Sequence, residues 1–325
     1  MHEPLTPVAL ADVEAARTRI HGIATRTPLV RLGLPDASPQ IFLKLENLQP
    51  IGSFKLRGAA NAIALAGREA LADGVYTASA GNMAQGVAWC AREMGVRCRV
   101  IVPERAPDAK VAAIQRLGGE VIRVPFDAWW QTMLDHRYPG FEGLFVHPFA
   151  DAGVMAGNGT IGLEILEDAP DVEAILVPFG GGGLSCGIAS AVRALRPDVR
   201  VYAAEVDTAA PFSASLAQGK ATSVSPTPSF VDGIGGKGVF EEMWPLAREL
   251  LAGSLVVSVA AIASAIRLLA ERSRIVAEGA GAAPVAAALD GSIAANTIVC
   301  VVSGGNIDSD TLATILRGDV PTKEH

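Results

Sequence analysis

Largely apolar runs alternate with helix-like patterns along most of the chain. Several of these runs are almost continuously hydrophobic, which is typical of parallel strands that are covered on both faces. We predict strands at 40–45, 74–77, 97–102, 120–124, 174–178, 200–204 and 297–302. Helices are predicted between them, among others at 84–94, 108–117, 184–196 and 260–273. This βαβ alternation predicts an α/β protein built on open, doubly wound, mostly parallel sheets.

The composition indicates a folded protein that binds neither nucleic acid nor a charged membrane surface. Half of the 325 residues are hydrophobic, 5% are aromatic, and 27 basic residues stand against 34 acidic ones. Such a chain is too apolar to be disordered, and a net charge of −7 offers no basic surface to nucleic acid or anionic lipid. The length allows two domain cores, and the 34 glycines predict tight turns and close backbone approaches.

The cysteines and the first residues favour a cytoplasmic protein. Four scattered cysteines lack zinc-type pairing and are expected to be free thiols: Cys90, Cys98, Cys186 and Cys300. No basic segment followed by an apolar one is visible at the start, as an export signal would require. The uncharged run 174–192 approaches the length of a membrane span, but Pro178 and four glycines would break such a helix.

The strongest local signal for chemistry is a glycine loop. Gly180 to Gly183 follow a predicted strand and precede Leu184, near which a helix is predicted to begin. The N–H groups of such a loop and the helix N-terminus favour phosphate binding, although a tight strand-to-helix turn explains the glycines equally well. Glu205, about twenty residues on, keeps a nucleotide-binding protein open as an alternative, but the loop is neither a Walker A motif nor a clean dinucleotide fingerprint.

Two other segments lie at predicted strand ends, where ligands bind in parallel sheets. The segment Ser79 to Met83 opens a predicted helix, so its N–H groups are suited to bind a carboxylate. Asn82 within it is equally compatible with an ordinary N-cap. Ser303 follows the last predicted strand and is compatible with a plain strand end.

Lys55 is a candidate nucleophile or base. Phe54 and Leu56 flank it, and we expect burial among apolar residues to lower the pKa of its amine. Arg57 is expected to lower this pKa further by like-charge repulsion. Most lysines are solvated surface charges, so this assignment depends on the surrounding motifs.

The local patterns predict no metal site and no hydrolase triad. The five histidines show no HExxH or comparable ligand spacing, and Glu241 with Glu242 is interpreted as an exposed helix start. Residues 183–187 match the hydrolase string G-x-S-x-G, but the glycines separate this serine from the strand and only the terminal His325 follows it. We therefore interpret that match as chance.

Taken in order, the motifs resemble pyridoxal-phosphate enzymes of fold type II, whose fold is tryptophan synthase β-like. The matching segments are Ser-Phe-Lys-Leu-Arg-Gly-Ala at 53–59, Ser-Ala-Gly-Asn at 79–82, the glycine loop at 180–183 and Ser-Gly-Gly-Asn at 303–306. They are most similar to the serine/threonine dehydratase branch, the threonine ammonia-lyases, to which serine racemase is related. The resemblance extends from Thr27 to Asn306.

This resemblance implies a role for each candidate residue. Lys55 would hold pyridoxal 5′-phosphate covalently and act as the catalytic base. The cofactor would further contact Phe54, Asn82, Gly180, Gly181, Gly182, Gly183, Leu184, Gly233, Glu278 and Ser303. Among these, the glycine loop would hold the 5′-phosphate, Asn82 the 3-oxygen and Ser303 the pyridine nitrogen. The substrate carboxylate would bind at Ser79, Ala80, Gly81, Asn82 and Met83.

Several positions depart from the family pattern. Ala80 replaces the serine that protonates the opposite face of Cα in the racemase branch, which weighs against racemisation. Met83 stands for the usual histidine and Asn158 for a common glutamine. Some members bind a cation with an acid six residues after the position of Glu205; here that position is Pro211, so no metal is predicted.

The predicted reaction converts L-threonine or L-serine to a 2-oxo acid and ammonia, by Cα proton abstraction and β-elimination of water. Elimination from a bulkier or acidic β-hydroxy amino acid, such as phenylserine or 3-hydroxyaspartate, remains an alternative, as does a non-catalytic nucleotide-binding sensor.

Trp129 and Trp130 are expected in the core, with a pocket-shaping role as the alternative. β-Replacement is disfavoured because the lysine segment reads Phe-Lys-Leu-Arg rather than Lys-Asp-Arg.

The resemblance also implies the organisation of the molecule. We expect a large cofactor-binding domain at 1–73 and 152–325, and a small domain at 74–151 that closes over the substrate. The protein is expected to form a homodimer and to bind a small amino acid, with no nucleic-acid or membrane partner.

Overall fold

A computed structural model describes residues 2–34 and 39–322, and it contains two separate β-sheets. The strands in these ranges are β1 (Leu29–Arg31), β2 (Gln40–Lys44), β3 (Val75–Ala78), β4 (Cys98–Pro103), β5 (Glu120–Val124), β6 (Leu144–Phe145), β7 (Ala174–Pro178), β8 (Arg200–Val206), β9 (Ser254–Val257) and β10 (Thr297–Val301). The larger sheet has the order β1-β2-β10-β7-β8-β9 and the smaller one the order β5-β4-β3-β6. Among the pairs that these described strands form, β1–β2 is antiparallel and all others are parallel.

Helices cover the faces of both sheets. They are α1 (Leu10–Arg19), α2 (Lys55–Ala70), α3 (Asn82–Glu93), α4 (Asp108–Arg116), α5 (Phe126–Asp135), α6 (Ala152–Asp168), α7 (Gly183–Leu195), α8 (Pro211–Gln218), α9 (Trp244–Leu250), α10 (Val259–Leu268), α11 (Gly279–Leu289) and α12 (Ser309–Arg317). A 3₁₀ turn spans Glu46–Leu48, and a π-helical turn, Leu269–Ser273, continues α10. None of the described helices is long and apolar enough to span a membrane.

The central strands of the larger sheet lie between two hydrophobic cores, one on each face of the sheet. Every residue of β7 and β10 is buried. Because successive side chains point to opposite faces, Ile175 and Val177 pack with α6 and α7, whereas Leu176 packs with α10 and α11. This burial on both faces explains why the two strands read as continuous apolar runs.

The smaller sheet also separates two cores. Val75 and Val100 pack with α2, α3 and α4 on one face. Tyr76 and Ile101 pack on the other face with α5. Since α2 shares a core with the smaller sheet, the packing does not separate cleanly at residue 73, and the expected domain boundaries remain a prediction.

The sequence patterns place most elements well. All seven predicted strands are present, with ends that shift by at most two residues. The uncharged run 174–192 forms β7, the glycine loop and most of α7, as its breakers require. The prediction missed β1, β6 and β9, because two of them have two or three residues and β9 is a partly exposed edge strand.

Helix α6 packs unusually close to its neighbours. A Cβ atom at Gly157 would collide with the carbonyl oxygen of Arg57 in α2. A Cβ atom at Gly159 would lie 2.9 Å from the carbonyl oxygen of Gly187 in α7. These glycines hold α2 and α7 at fixed positions, and both helices begin at residues singled out by the sequence motifs.

Candidate active site

A cavity of about 360 Å³ lies where strands of both sheets end. Its wall includes residues that follow β3, β7 and β10, at the carboxyl ends where ligands bind in parallel sheets. All candidate residues of the sequence motifs line it: Phe54, Lys55, Ser79, Ala80, Gly81, Asn82, Met83, Gly180, Gly181, Gly182, Gly183, Leu184, Gly233, Glu278 and Ser303. The fold therefore brings together segments that are far apart in the chain.

The Lys55 amine is shielded from solvent at the start of α2. Its Nζ donates a hydrogen bond of 2.6 Å to the carbonyl oxygen of Pro148, and it lies 5.1 Å from the centre of the Phe54 ring. Burial lowers the pKa of the amine to about 8, and the negative charge of Glu278 offsets only part of this effect. An appreciable fraction of this amine is thus neutral near pH 7.

Arg57 does not lower the pKa of Lys55, so that expectation is wrong. Lys55 and Arg57 are two positions apart on a helix, so their side chains lie on nearly opposite faces of it. Arg57 instead donates to Glu46 at 2.8 Å and to Glu164 at 2.6 Å, and these carboxylates neutralise its charge. The low pKa of Lys55 arises from burial.

Backbone hydrogen bonds attach the lysine segment to the end of β10. The Phe54 N–H donates to the carbonyl oxygen of Ser303 at 2.9 Å, and Gly305 N–H donates to that of Gly52 at 2.9 Å. Glu278 N–H donates in turn to the carbonyl oxygen of Gly304. Ser303 itself is 2% exposed and lines the cavity. Two of the motifs, the lysine segment and the Ser-Gly-Gly-Asn segment, are thus joined to each other and to Glu278 through the backbone.

The glycine loop offers unpaired donors to the cavity. Gly182 has a φ of 90°, and α7 begins at Gly183, so both the loop and a helix N-terminus are present. Within the described ranges, the N–H groups of Gly180, Gly181 and Gly182 have no hydrogen-bond acceptor. A Cβ at Gly181 would collide with the ring of Phe149. Positions 181 and 182 must therefore be glycine, and the donors of the loop suit an anion such as a phosphate.

Asn82 is held by side chains from distant parts of the chain. Its Nδ2 donates to both carboxylate oxygens of Glu278, at 2.9 and 3.1 Å, and its Oδ1 accepts from Asn306 at 2.8 Å. No side-chain cap bond forms at the start of α3, so Asn82 is not an N-cap. Burial raises the pKa of Glu278 to about 7, although the hydrogen bonds from Asn82 act in the opposite direction.

Several cavity residues escaped the sequence analysis. Lys110 and Asp232 form an ion pair of 2.6 Å in the cavity wall, and Phe149 packs against the glycine loop. Trp129, for which the sequence left a pocket-shaping role open beside core packing, lines the cavity and also packs against a core cluster. Its indole Nε1 is buried and has no hydrogen-bond partner in the described part of the chain. No local spacing marks these residues, because each comes from a different element.

Two other flagged residues have structural partners. Glu205 accepts hydrogen bonds from the N–H groups of Phe212 and Ser213 and from Ser254 Oγ, so it caps α8. Asn158 is buried and donates to the carbonyl oxygen of Gly183 at 3.3 Å, supporting the glycine loop from behind. The role of Glu205 in α8 removes the support it gave to a nucleotide site.

Comparison with known proteins agrees with this arrangement. The chain belongs to the pyridoxal-phosphate dependent enzyme family, which matches residues 20–304. The L-threonine ammonia-lyase of Geobacter sulfurreducens is 42% identical over 316 residues, covering 94% of this chain and 77% of that protein. The catabolic L-threonine dehydratase of Staphylococcus aureus is 36% identical over 319 residues, covering 95% and 92%.

Solved structures give the same relationship. The processed form of threonine deaminase isoform 2 from Solanum lycopersicum superposes with a TM-score of 0.83 at 31% identity, covering 95% of this chain and 86% of that chain. Maize serine racemase superposes with a TM-score of 0.85 at 30% identity, covering 96% and 98%. The expected fold-type II architecture and the resemblance to the dehydratase branch are both confirmed.

The cavity residues fit the cofactor of this family. Pyridoxal phosphate needs an amine that can form a covalent bond to its aldehyde and donors for a phosphate. Lys55 presents such an amine, and the glycine loop presents unpaired N–H groups at the start of α7. A cavity of about 360 Å³ lies within the range of about 300–1,000 Å³ that is usual for small-molecule sites.

Proposed function

We propose that this protein is a pyridoxal-phosphate-dependent ammonia-lyase that acts on L-threonine or L-serine. The observation that carries the proposal is one cavity with three features: the shielded amine of Lys55, the unpaired donors of the glycine loop, and a helix start beside Ala80. The named activities of the relatives at 42% and 36% identity support the same substrate class. Such a reaction removes water across Cα and Cβ and releases the nitrogen as ammonia.

The proposal assigns the holding residues as follows. Lys55 would carry the cofactor, the N–H groups of Gly180 to Gly183 would bind its phosphate, and Ser303 would contact the pyridine nitrogen. Asn82 is oriented by Glu278 and Asn306, which gives it a fixed position for a contact to the ring oxygen. When bound, pyridoxal phosphate supplies an electron sink for the negative charge left at Cα.

Proton transfer at Cα falls to Lys55. Because burial lowers the pKa of its amine to about 8, the neutral base is available near neutral pH. The N–H groups at the start of α3 would hold the substrate carboxylate and so fix which face of Cα meets the amine. Ala80 lies in the wall of the same cavity and has no proton to give, so this site favours elimination over racemisation.

A substrate panel tests the proposal directly. The holoenzyme is incubated with L-threonine, L-serine, 3-phenylserine and 3-hydroxyaspartate, and ammonia and 2-oxo acid are measured. We expect turnover of threonine or serine, no interconversion of D and L forms, and borohydride fixation of the cofactor on Lys55. Absence of ammonia release from both amino acids would reject the substrate assignment.

A second candidate substrate class has one specific observation in its favour. The buried Nε1 of Trp129 lacks an acceptor within the described ranges, and Trp129 lines the cavity. A β-hydroxy amino acid with an acceptor on a larger β-substituent would satisfy this donor when the Trp129 ring turns its Nε1 into the cavity. Trp129→Phe keeps the ring but removes the N–H. If such a substrate is native, KM should rise about 5- to 100-fold for it and stay nearly constant for serine.

The cellular compartment and the oligomeric state of the enzyme also remain proposals. Cys90, Cys98, Cys186 and Cys300 are all free thiols, which supports a reducing compartment such as the cytoplasm. The proposed homodimer rests on the family resemblance. Light scattering of the purified protein at micromolar concentration checks it.

A further inference from the structure

A second cluster, of three side chains of the types that can ligate a metal ion, lies outside the cavity wall. They are His2 near the N-terminus, His136 just after α5, and Glu242 shortly before α9. One ligand atom from each, an imidazole nitrogen or a carboxylate oxygen, lies within 4.8 Å of the other two. None of the three lines the cavity described above. No local sequence pattern reveals the cluster, because neighbouring members are separated by more than one hundred residues.

Glu242 is the buried anion of this cluster. Its side chain is 6% exposed, so the expected exposed helix start is wrong for this residue. Met243 and Trp244 turn into the core beside it and draw the segment inward. Within the described part of the chain, the only hydrogen bond of the carboxylate is to His136 Nε2, at 2.9 Å. A buried carboxylate with a single partner favours a further positive charge.

The two imidazoles are already positioned beside this carboxylate. His136 adopts a left-handed backbone conformation with a φ of 54°, and its ring stacks on His2, with ring centres 4.0 Å apart. His2 Nε2 hydrogen-bonds to the carbonyl oxygen of Leu134 at 3.0 Å, which leaves its Nδ1 available as a ligand. The His147 ring also lies beside that of His136, with ring centres 4.4 Å apart, but both of its nitrogens are occupied, so it is not a ligand.

We propose that His2, His136 and Glu242 form a binding site for a divalent transition metal ion of the zinc class. Two imidazoles and one carboxylate are a donor set that zinc accepts, with a solvent molecule as fourth ligand. Bonds of about 2.0–2.2 Å require the ligand atoms to approach to about 3.3 Å from one another. His2 is exposed and can move the remaining distance of at most about 1.5 Å, while His136 and Glu242 are already in contact.

The site joins parts of the molecule that pack on different sheets. His136 follows α5, which covers the smaller sheet, and Glu242 precedes α9, which packs on the larger one. A bound ion would therefore link the two layers and the N-terminal segment. We expect zinc to stabilise the folded protein against heat, because a ligand that binds only the native state adds its binding free energy.

The test uses untagged holoenzyme and zinc alone, without amino acid. Equilibrium dialysis should give one zinc ion per chain, and the melting temperature should rise by several degrees. Replacement of zinc by cobalt should give the visible bands of tetrahedral nitrogen and oxygen ligation. His136→Asn, Glu242→Gln and His2→Asn should each weaken zinc binding at least about 10-fold, whereas the control His21→Asn, on another exposed histidine, should not.

Each outcome of these measurements either supports the zinc site or overturns it. Zinc binding that ignores the His2 and His136 substitutions, or that appears only at millimolar zinc, overturns the proposal. A cobalt spectrum with a thiolate charge-transfer band also overturns it, because the four described cysteines are buried elsewhere. If Glu242→Gln fails to fold, His2→Asn decides the question, since His2 is exposed and its loss leaves the core intact. None of these readouts depends on the proposed catalytic activity.

Discussion

Helix α2 carries two shielded cations, Lys55 at its first residue and Arg57 two residues later, with opposite surroundings. Arg57 contacts the carboxylates of Glu46 and Glu164, and Lys44 adds a second ion pair to Glu164 at 2.6 Å. The pKa of Arg57 is raised by these partners, whereas burial lowers that of Lys55 to about 8. Lys55 Nζ meets a carbonyl oxygen instead of a carboxylate.

The difference shows how one helix separates stability from reactivity. Successive residues rotate by about 100° around a helix axis, so side chains two positions apart face opposite directions. One face of α2 contains a saturated ion network, in which Thr27 and Gln49 also bond to Glu46. The other face presents an amine that burial keeps ready to lose its proton. The four substitutions below test this division, from the largest expected effect to the smallest.

Lys55→Ala should abolish activity. Removing the amine removes both the covalent attachment of the cofactor and the base at Cα, so kcat for 2-oxo acid formation should fall by at least about 10³-fold. The matched control is Lys110→Ala, which removes another amine of the same cavity wall that is paired with Asp232. Activity that survives loss of Lys55, or falls equally with loss of Lys110, contradicts the assigned role.

Arg57→Met should destabilise the fold. The change leaves Glu46 and Glu164 buried with too few partners, and it should lower the free energy of unfolding by about 3–5 kcal/mol. Urea denaturation followed by circular dichroism measures the change. An unchanged midpoint would mean that the network contributes specificity without stability.

Lys55→Met should stabilise the cofactor-free protein in a pH-dependent way. Between pH 8 and 10.5 the unfolded chain binds the lysine proton and the native protein does not, so the wild type gains stability as pH rises through this window. The advantage of the variant should be largest below pH 8, at most about 3 kcal/mol, and should vanish above pH 10.5. A constant difference across the range would show that Lys55 has an ordinary pKa.

Arg26→Met should have the smallest effect. Arg26 pairs with Glu167 and Asp168 on the surface, where its side chain is 49% exposed. Solvent screens such pairs, so the free energy of unfolding should change by less than about 1 kcal/mol. A loss as large as that of Arg57→Met, measured under the same conditions, would show that burial is not the property that separates them.

The sequence predicts the features that depend on neighbouring residues. Strand β7 agrees with its predicted range because its continuous apolar run ends just before the glycine loop, and β5 agrees because Gly118, Gly119 and Pro125 bound it. The glycine loop and the segment from Ser79 to Met83 are recognisable because backbone donors at a helix start need no distant partner. Family resemblance supplied Gly233 and Glu278, which have no local signal of their own.

The features that depend on distant residues were not predictable. Asn82 and Glu278 are 196 residues apart, and Arg57 and Glu164 are 107 residues apart. Because Arg57 is close to Lys55 in the sequence, we expected its charge to lower the pKa of Lys55. Helix geometry turns the Arg57 side chain toward Glu164 instead. The same limit concealed the cluster of His2, His136 and Glu242, whose members offer no recognisable spacing.

The close approach of α6 to α2 has a consequence for protein engineering. No side-chain atom fits at Gly157, because the carbonyl oxygen of Arg57 occupies the space that a Cβ would take. A library that randomises this codon should yield glycine alone among clones that retain soluble enzyme. Improvements to the catalyst must therefore be sought in cavity-wall residues outside this contact, such as Trp129 and Lys110, where side chains can vary without moving the helix that carries Lys55.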